Sequence, residues 1–327
     1  VAENVIDLAG NQVGERLKTF SVAFESREHD ESAYQREAAK WLGTEHHSVL
    51  CSNDDIGLEF PDLIRHAEKP ILRTAPAPLF LLSRLVQSDG YKVVLTGEGS
   101  DEFLGGYDIF KEAKIRRFWA IDLASRHRPL LLKRLYPYLQ NLKAQSDPYL
   151  KAFFHVNPLD SSNPFFSHLP RWELTAKLKV FLSEGVQSEV RNSDSYAEMK
   201  KMLPDTYAQW DGFSQAQYLE ATALLPGYIL SSQGDRMAMA HSVEGRFPFL
   251  DHRIVEFAST IPPHLKMKVL NEKYILKRAA GHLIPDSVRK RSKQPYRAPD
   301  AMSFFDPATE NSRDEYVREL LCPERIR

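Results

Sequence analysis

Apolar and polar positions along the first third of the chain follow two periods in turn. Val1, Ala2, Val5, Ile6 and Ala9 recur at helical spacing and stop at Gly10-Asn11, which predicts a helix over Val1–Ala9 with no strand before it. Leu17–Phe24 (LKTFSVAF) predicts a strand. Asp30–Leu42 predicts a helix, with Asp30 or Ser32 as its cap, a stripe of Tyr34, Ala38, Trp41 and Leu42, and Gly43 as its stop. A short strand at His46–Leu50 and helices over Asp54–Glu68 and Pro78–Ser88 follow. The β-branched run Lys92–Leu95 then predicts a buried central strand that feeds a helix starting near Ser100. Strands alternating with helices imply right-handed crossovers and a parallel sheet. Such a fold begins with a strand whose tip joins the first helix, so the chain reads as cut inside its first β-α unit.

Beyond residue 110 the pattern turns helical. Lys111–Lys201 is amphipathic, and Pro129, Pro137, Pro148, Pro158, Pro164 and Pro170 divide it into short helices. Leu225–Asp251 packs Asp235, Arg236, His241, Glu244, Arg246 and Asp251 among small and apolar residues, a pattern expected of partly buried ion pairs. It reads either as a polar pocket for a zwitterionic substrate or as a salt-bridge network between two helices. Asp251 caps a helix that carries Ile254, Val255, Phe257 and Ala258 and ends at Pro262-Pro263. Asn271 is the expected cap of another, which places Lys273 in its first turn, where the helix dipole disfavours a cation unless an anion is near.

Candidate chemistry concentrates in Val93–Tyr107, VVLTGEGSDEFLGGY. Gly97 and Gly99 let the backbone turn sharply and approach a ligand, and they bracket Glu98, with Asp101 and Glu102 just beyond. Carboxylates at the C-terminal tip of a strand that feeds a helix are how α/β sheets build ligand sites. An ordinary turn whose acids cap the helix is the alternative.

Composition narrows the class. The chain carries 43 basic and 44 acidic residues for a net charge of −1, so no global field favours nucleic acid or membrane. Basic clusters such as Lys114-Ile115-Arg116-Arg117 therefore read as a solvated helix face. No apolar run approaches the ~20 residues needed to span a bilayer. Cys51 and Cys322 form neither a metal spacing nor a disulfide framework, which suits a reducing cytosol. His46-His47 lacks partners at ligand spacing.

Three stretches, TGEGSDEFLGGY, SSQGDRMAMAHSVEGRFPFLD and EKYILKRAAGHLIP, in this order, resemble the synthetase domain of glutamine-dependent asparagine synthetases over Leu17–Pro295. β-Lactam synthetases and other amide-forming enzymes share that scaffold. The resemblance implies an α/β fold with a parallel sheet of the ATP pyrophosphatase type, adenine nucleotide α-hydrolase-like, over 1–115, and a largely helical part over 116–327. It implies that ATP activates a carboxylate as an acyl-adenylate, releasing pyrophosphate, before an amine attacks. Aspartate is then the acid and ammonia from glutamine the amine. By position, Val22 in Phe20-Ser21-Val22 meets adenine, and Thr96 and Gly97 flank the nucleotide. Glu98 supports adenylation or accepts a proton from the attacking amine. Asp101 is a Mg²⁺ ligand, and Lys273 stabilises charge on the phosphates. Asp235, Arg236, Glu244 and Arg246 form the substrate side. The family's Ser-Gly-Gly-x-Asp-Ser phosphate loop is expected directly before Val1, and its glutaminase domain, with an N-terminal cysteine nucleophile, further upstream. Neither Cys51 nor Cys322 can replace that cysteine. A cytoplasmic enzyme is expected, with a homodimer open as its assembly. The alternatives are a related ligase or β-lactam-synthetase-like cyclase, or a nucleotide-binding module without catalysis.

Overall fold

A computed structural model describes residues 16–71, 73–154 and 162–304. The expected helix over Val1–Ala9 and Cys322 lie outside them. The chain runs through β1 (Lys18–Phe24), α1 (Ser32–Leu42), β2 (Glu45–Cys51), α2 (Asn53–Ala67), α3 (Pro76–Ser88), β3 (Val93–Leu95) and α4 (Ser100–Leu104). It continues through α5 (Asp108–Ala120), short helical pieces to Gln209, α6 (Gly212–Leu219) and a wide-turned helix over Glu220–Asp235. After that come α7 (Arg236–Met239), β4 (Glu244–Arg246), α8 (His252–Thr260) and α9 (Tyr274–Ala279). The protein is thus mixed α/β and mostly helical, with two small parallel sheets, β1–β2 and β3–β4. Among the described residues no helix is long and apolar enough to cross a membrane.

Two compact units divide the described chain. Residues 16–99, 224–256 and 275–304 make one, and residues 100–223 and 257–274 the other. Neither is continuous in sequence, so no single cut in chain order separates them.

In the first unit, Val22 and Phe24 of β1 pack with Ile56, Leu63 and Ala67 of α2, Phe80 of α3, Met237 of α7 and Ala298. Each of the valine, isoleucine, leucine, phenylalanine and methionine side chains among them contributes about 1.5–3 kcal/mol when fully buried. Local signals set the elements. Ser52 and Asp55 form a reciprocal capping box, Asp55 N–H donating to Ser52 Oγ at 3.0 Å and Ser52 N–H to Asp55 Oδ2 at 2.9 Å. Gly43, in the left-handed region at φ +68°, stops α1. At its start Asp30 Oδ1 accepts from the backbone N–H of both Phe24 and Ser32, so one carboxylate closes β1 and opens α1.

Two readings of the sequence need correction. The strand at Val93 is not buried here: Val93 and Leu95 are 42% and 53% exposed, because among the described residues β3 pairs on one side only, with β4. The basic run on α5 is not a solvated face either. Lys114 is exposed, but Arg116 is 2% exposed, donates to the Phe166 carbonyl at 2.9 Å and lies over the Phe166 ring at 4.4 Å. The guanidinium carries weakly hydrated charge on an apolar stem, so an aromatic face and a carbonyl can enclose it.

In the second unit, α5 packs Ile109 and Phe110 against Ala216 and Met267, while its Ile115 and Trp119 join Leu132, Leu135, Leu150 and Phe166.

Candidate active site

In the first unit the turn after β3 is held at both ends. Thr96 N–H donates to the Arg246 carbonyl at 3.0 Å, extending the β3–β4 pairing by one residue. Gly99 stands at φ +92°, and a Cβ there would overlap the Leu250 side chain, so glycine is required on both counts. A Cβ on Gly97 would meet nothing within 4 Å, so open space lies beside that backbone. The Thr96 hydroxyl donates to Glu98 Oε2, which fixes the carboxylate beside the turn. Tyr296 is 40% exposed as a residue, and desolvation around its hydroxyl raises its pKa. Tyr296 lies near Glu98, and nothing in its sequence context marked it.

Val22 lines a cleft of about 230 Å³ with Phe20, Leu79, Leu82 and Tyr296 as largely apolar wall and Gln35 as a polar member. Gln35 Nε2 donates to the Val22 carbonyl at 3.0 Å.

The block proposed for the substrate side spreads out. Asp235 ends the wide-turned helix with its side chain exposed, and partial desolvation raises its carboxyl above the usual value. Arg236 opens α7 and bonds Glu68 Oε2 at 2.6 Å. Glu244 and Arg246 pair with each other at 2.9 Å from β4, with side chains 57% and 61% exposed. The expected partly buried ion pairs are therefore solvent-facing. A three-residue strand puts Glu244 and Arg246 on the same face, two residues apart, so they meet without needing a pocket.

In the second unit Asp101 and Lys273, 172 positions apart in sequence, are brought together. Lys273 Nζ lies 2.9 Å from Asp101 Oδ1 and donates to Ser100 Oγ at 3.0 Å. Both side chains are less than a fifth exposed. The expected first-turn position of Lys273 is corrected: α9 begins at Tyr274, and Lys273 precedes it at φ +49°. A left-handed lysine at the entry, rather than a cation inside the first turn, aims the ammonium at α4, so the helix dipole is not what recruits an anion. Its N–H meets the Gly105 carbonyl at 3.4 Å. A Cβ on Gly106 would overlap both Asp101 Oδ1 and Lys273 Cε, which explains the second glycine of Gly105-Gly106.

Glu272 anchors this lysine from behind. Its carboxylate lies 2.9 Å from Lys111 Nζ, which also meets Asp108 at 3.0 Å, and all three side chains are about 5% exposed. Lys111→Met is expected to remove the cation that two buried acids share and to cost about 3–5 kcal/mol. A chemical denaturation series checks it, and an unchanged midpoint would remove Lys111 from this support. Glu102, at 1% exposure, has its carboxyl raised by burial while it accepts from the Tyr107 hydroxyl at 2.6 Å.

Among the described residues no three His, Cys, Asp or Glu side chains converge as a protein-only metal site requires. Asp101 offers one carboxylate already paired with a cation. That suits Mg²⁺ only as an ion that takes most of its ligands from phosphate and water.

The model of the asparagine synthase family matches residues 4–326. The amidase chyE of Penicillium rubens is 30% identical over 310 residues, covering 88% of this chain and 44% of the amidase. The amidase chry2 of Gibberella zeae is 30% identical over 306 residues, covering 86% and 43%. The glutamine-hydrolysing asparagine synthetase 1 of Bacillus subtilis is 27% identical over 306 residues, covering 93% and 45%. The chain spans less than half the length of these relatives. With a family model matched along nearly its whole length, the chain belongs to the asparagine synthase family.

Proposed function

We propose that this chain carries the synthetase half of an ATP-dependent amide-forming enzyme, which joins aspartate to ammonia through an acyl-adenylate. The observation that carries the reading is the convergence of Lys273 and Asp101 beside a glycine turn, 2.9 Å apart and largely shielded from water. A desolvated cation set by a carboxylate is suited to phosphate oxygens, and the positive charge is worth most where charge develops as pyrophosphate leaves. Asp101 would hold a Mg²⁺ ion, which neutralises phosphate charge when bound. Val22 presents its strand edge to the base, Thr96 and Gly97 flank the nucleotide, and Glu98 takes the proton that the attacking amine must lose. Asp235, Arg236, Glu244 and Arg246 offer both signs of charge to a zwitterionic acid. The sheet is read as the ATP pyrophosphatase type, carried mainly by residues 1–115, with residues 116–327 completing the domain. An upstream glutaminase domain would supply ammonia. We read it as a cytoplasmic enzyme, with a homodimer as the assembly to be tested.

A second reading, an amide ligase for another acid, is favoured by the two amidases at 30% identity. Carboxylate-dependent ATP–pyrophosphate exchange separates the two. Aspartate should support exchange, and asparagine should appear when ammonia is added. Exchange with other acids but not aspartate would select the second reading, and no exchange with any carboxylate in the full-length enzyme would exclude both.

A further inference from the structure

We propose that Gln35 is a base-reading residue, whose Oε1 accepts a hydrogen bond from the 6-amino group of a purine held against the Val22 edge of β1. This rests on the nucleotide reading above and adds to it a residue that selects the base.

The backbone sets the geometry. In a parallel pair, alternate residues of a strand turn both their N–H and C=O toward the partner. Glu45 N–H bonds the Leu17 carbonyl, so residues 17, 19, 21 and 23 address β2. Residues 18, 20, 22 and 24 address the other side, where Phe24 N–H meets Asp30 and the Val22 carbonyl meets Gln35 Nε2. Val22 thus presents a donor and an acceptor on the edge away from β2. Gln35, reaching over from α1, stands beside that edge as part of the cleft lining.

The carboxamide has one end used and one end idle. The Val22 carbonyl can only accept, so the Gln35 atom 3.0 Å from it is the nitrogen, and the other end is the oxygen. That oxygen is buried and has no hydrogen-bond partner. A buried acceptor left unpaired is costly, and such an atom on a side chain that lines a cleft favours a ligand that brings a donor.

The edge therefore reads donor at Val22 N–H, acceptor at the Val22 carbonyl and acceptor at Gln35 Oε1. A 6-aminopurine is the complement: N1 accepts, and the amino group has two protons, one for each acceptor. A 6-oxopurine sets its own carbonyl against two acceptors and its N1 proton against a donor. A purine with hydrogen at position 6 satisfies neither acceptor. Sites built around hydrogen-bonding groups reject analogues that leave those groups unpaired.

The test compares ATP with its 6-deamino analogue, purine riboside triphosphate, by calorimetric titration of the full-length enzyme and its Gln35→Leu variant. Unmodified protein should prefer ATP by at least tenfold. Gln35→Leu should shrink that preference by roughly tenfold through weaker ATP binding, with affinity for the analogue unchanged, as a cycle across one contact requires. Equal affinity of the unmodified protein for both nucleotides would overturn the proposal without any variant. So would a preference that survives Gln35→Leu intact. If neither nucleotide binds, the nucleotide reading itself falls, and the assignment of Gln35 falls with it.

Discussion

Glu98→Gln is expected to lower amide formation by about 10²-fold or more while leaving the fold within about 1 kcal/mol of its original stability. The two halves rest on different observations. The stability half follows because glutamine has the same shape and keeps an oxygen for the Thr96 hydroxyl, so the turn between Gly97 and Gly99 retains its internal bond. The activity half follows because an amide cannot take a proton from an amine as it becomes ammonium. Product formation from ammonia in the full-length enzyme, alongside a thermal melt, measures both. Turnover near that of the unmodified enzyme would remove Glu98 from the chemistry and leave it as a turn residue.

Lys273→Met is expected to slow adenylation by about 10²–10³-fold, the range for removing one preorganised electrostatic partner of a developing negative charge. Methionine fills the volume of the stem but leaves Asp101 without its cation, so any remaining phosphate site would also be more negative. The acid substrate should still bind with little change, because the role proposed for Lys273 is toward phosphate rather than toward the acid. Isotope exchange into ATP isolates the step. An exchange rate within twofold of the original would sink the role. Lys273→Arg keeps the charge but replaces a compact ammonium with a wide fork, and should recover only part of the loss, given the narrow space beside Gly106.

Much of the first unit was legible because its signals are local. A strand at Lys18–Phe24, Gly43 as a helix stop and a helix entering at Asn53 all follow from residues within a few positions of one another. What escaped depends on distant partners. Residues Glu244–Arg246 form a strand only because Val93–Leu95 lies beside them, and three residues, two of them charged, carry no periodicity to reveal it. Arg116 reads as a surface charge until Phe166, fifty positions on, closes over it. The candidate site divides the same way. The acids of the glycine turn were visible as a pattern, and Lys273 as a residue out of place. Its position before α9 rather than within it depends on one left-handed backbone angle, which composition does not encode. Gln35 carries no signal at all, since a glutamine on an exposed helix turn is ordinary until its carboxamide is seen on Val22.

The way the first unit is assembled has a consequence for synthesis on the ribosome. Its apolar cluster needs Val22 from near the start of the chain, Met237 from α7 and Ala298 from near the end of the described residues. At about 5–20 residues per second, roughly 15–60 s separate the emergence of the first of these from the last. Throughout that interval Ile56, Leu63 and Phe80, all later buried, have no complete core to enter. The β1–β2 pair is then a two-stranded ribbon, marginal by itself. A nascent chain of this design is therefore a natural client for a holdase, and a slow stretch of codons placed early in the message would lengthen its exposure. One placed after residue 298 would leave time for the cluster to close.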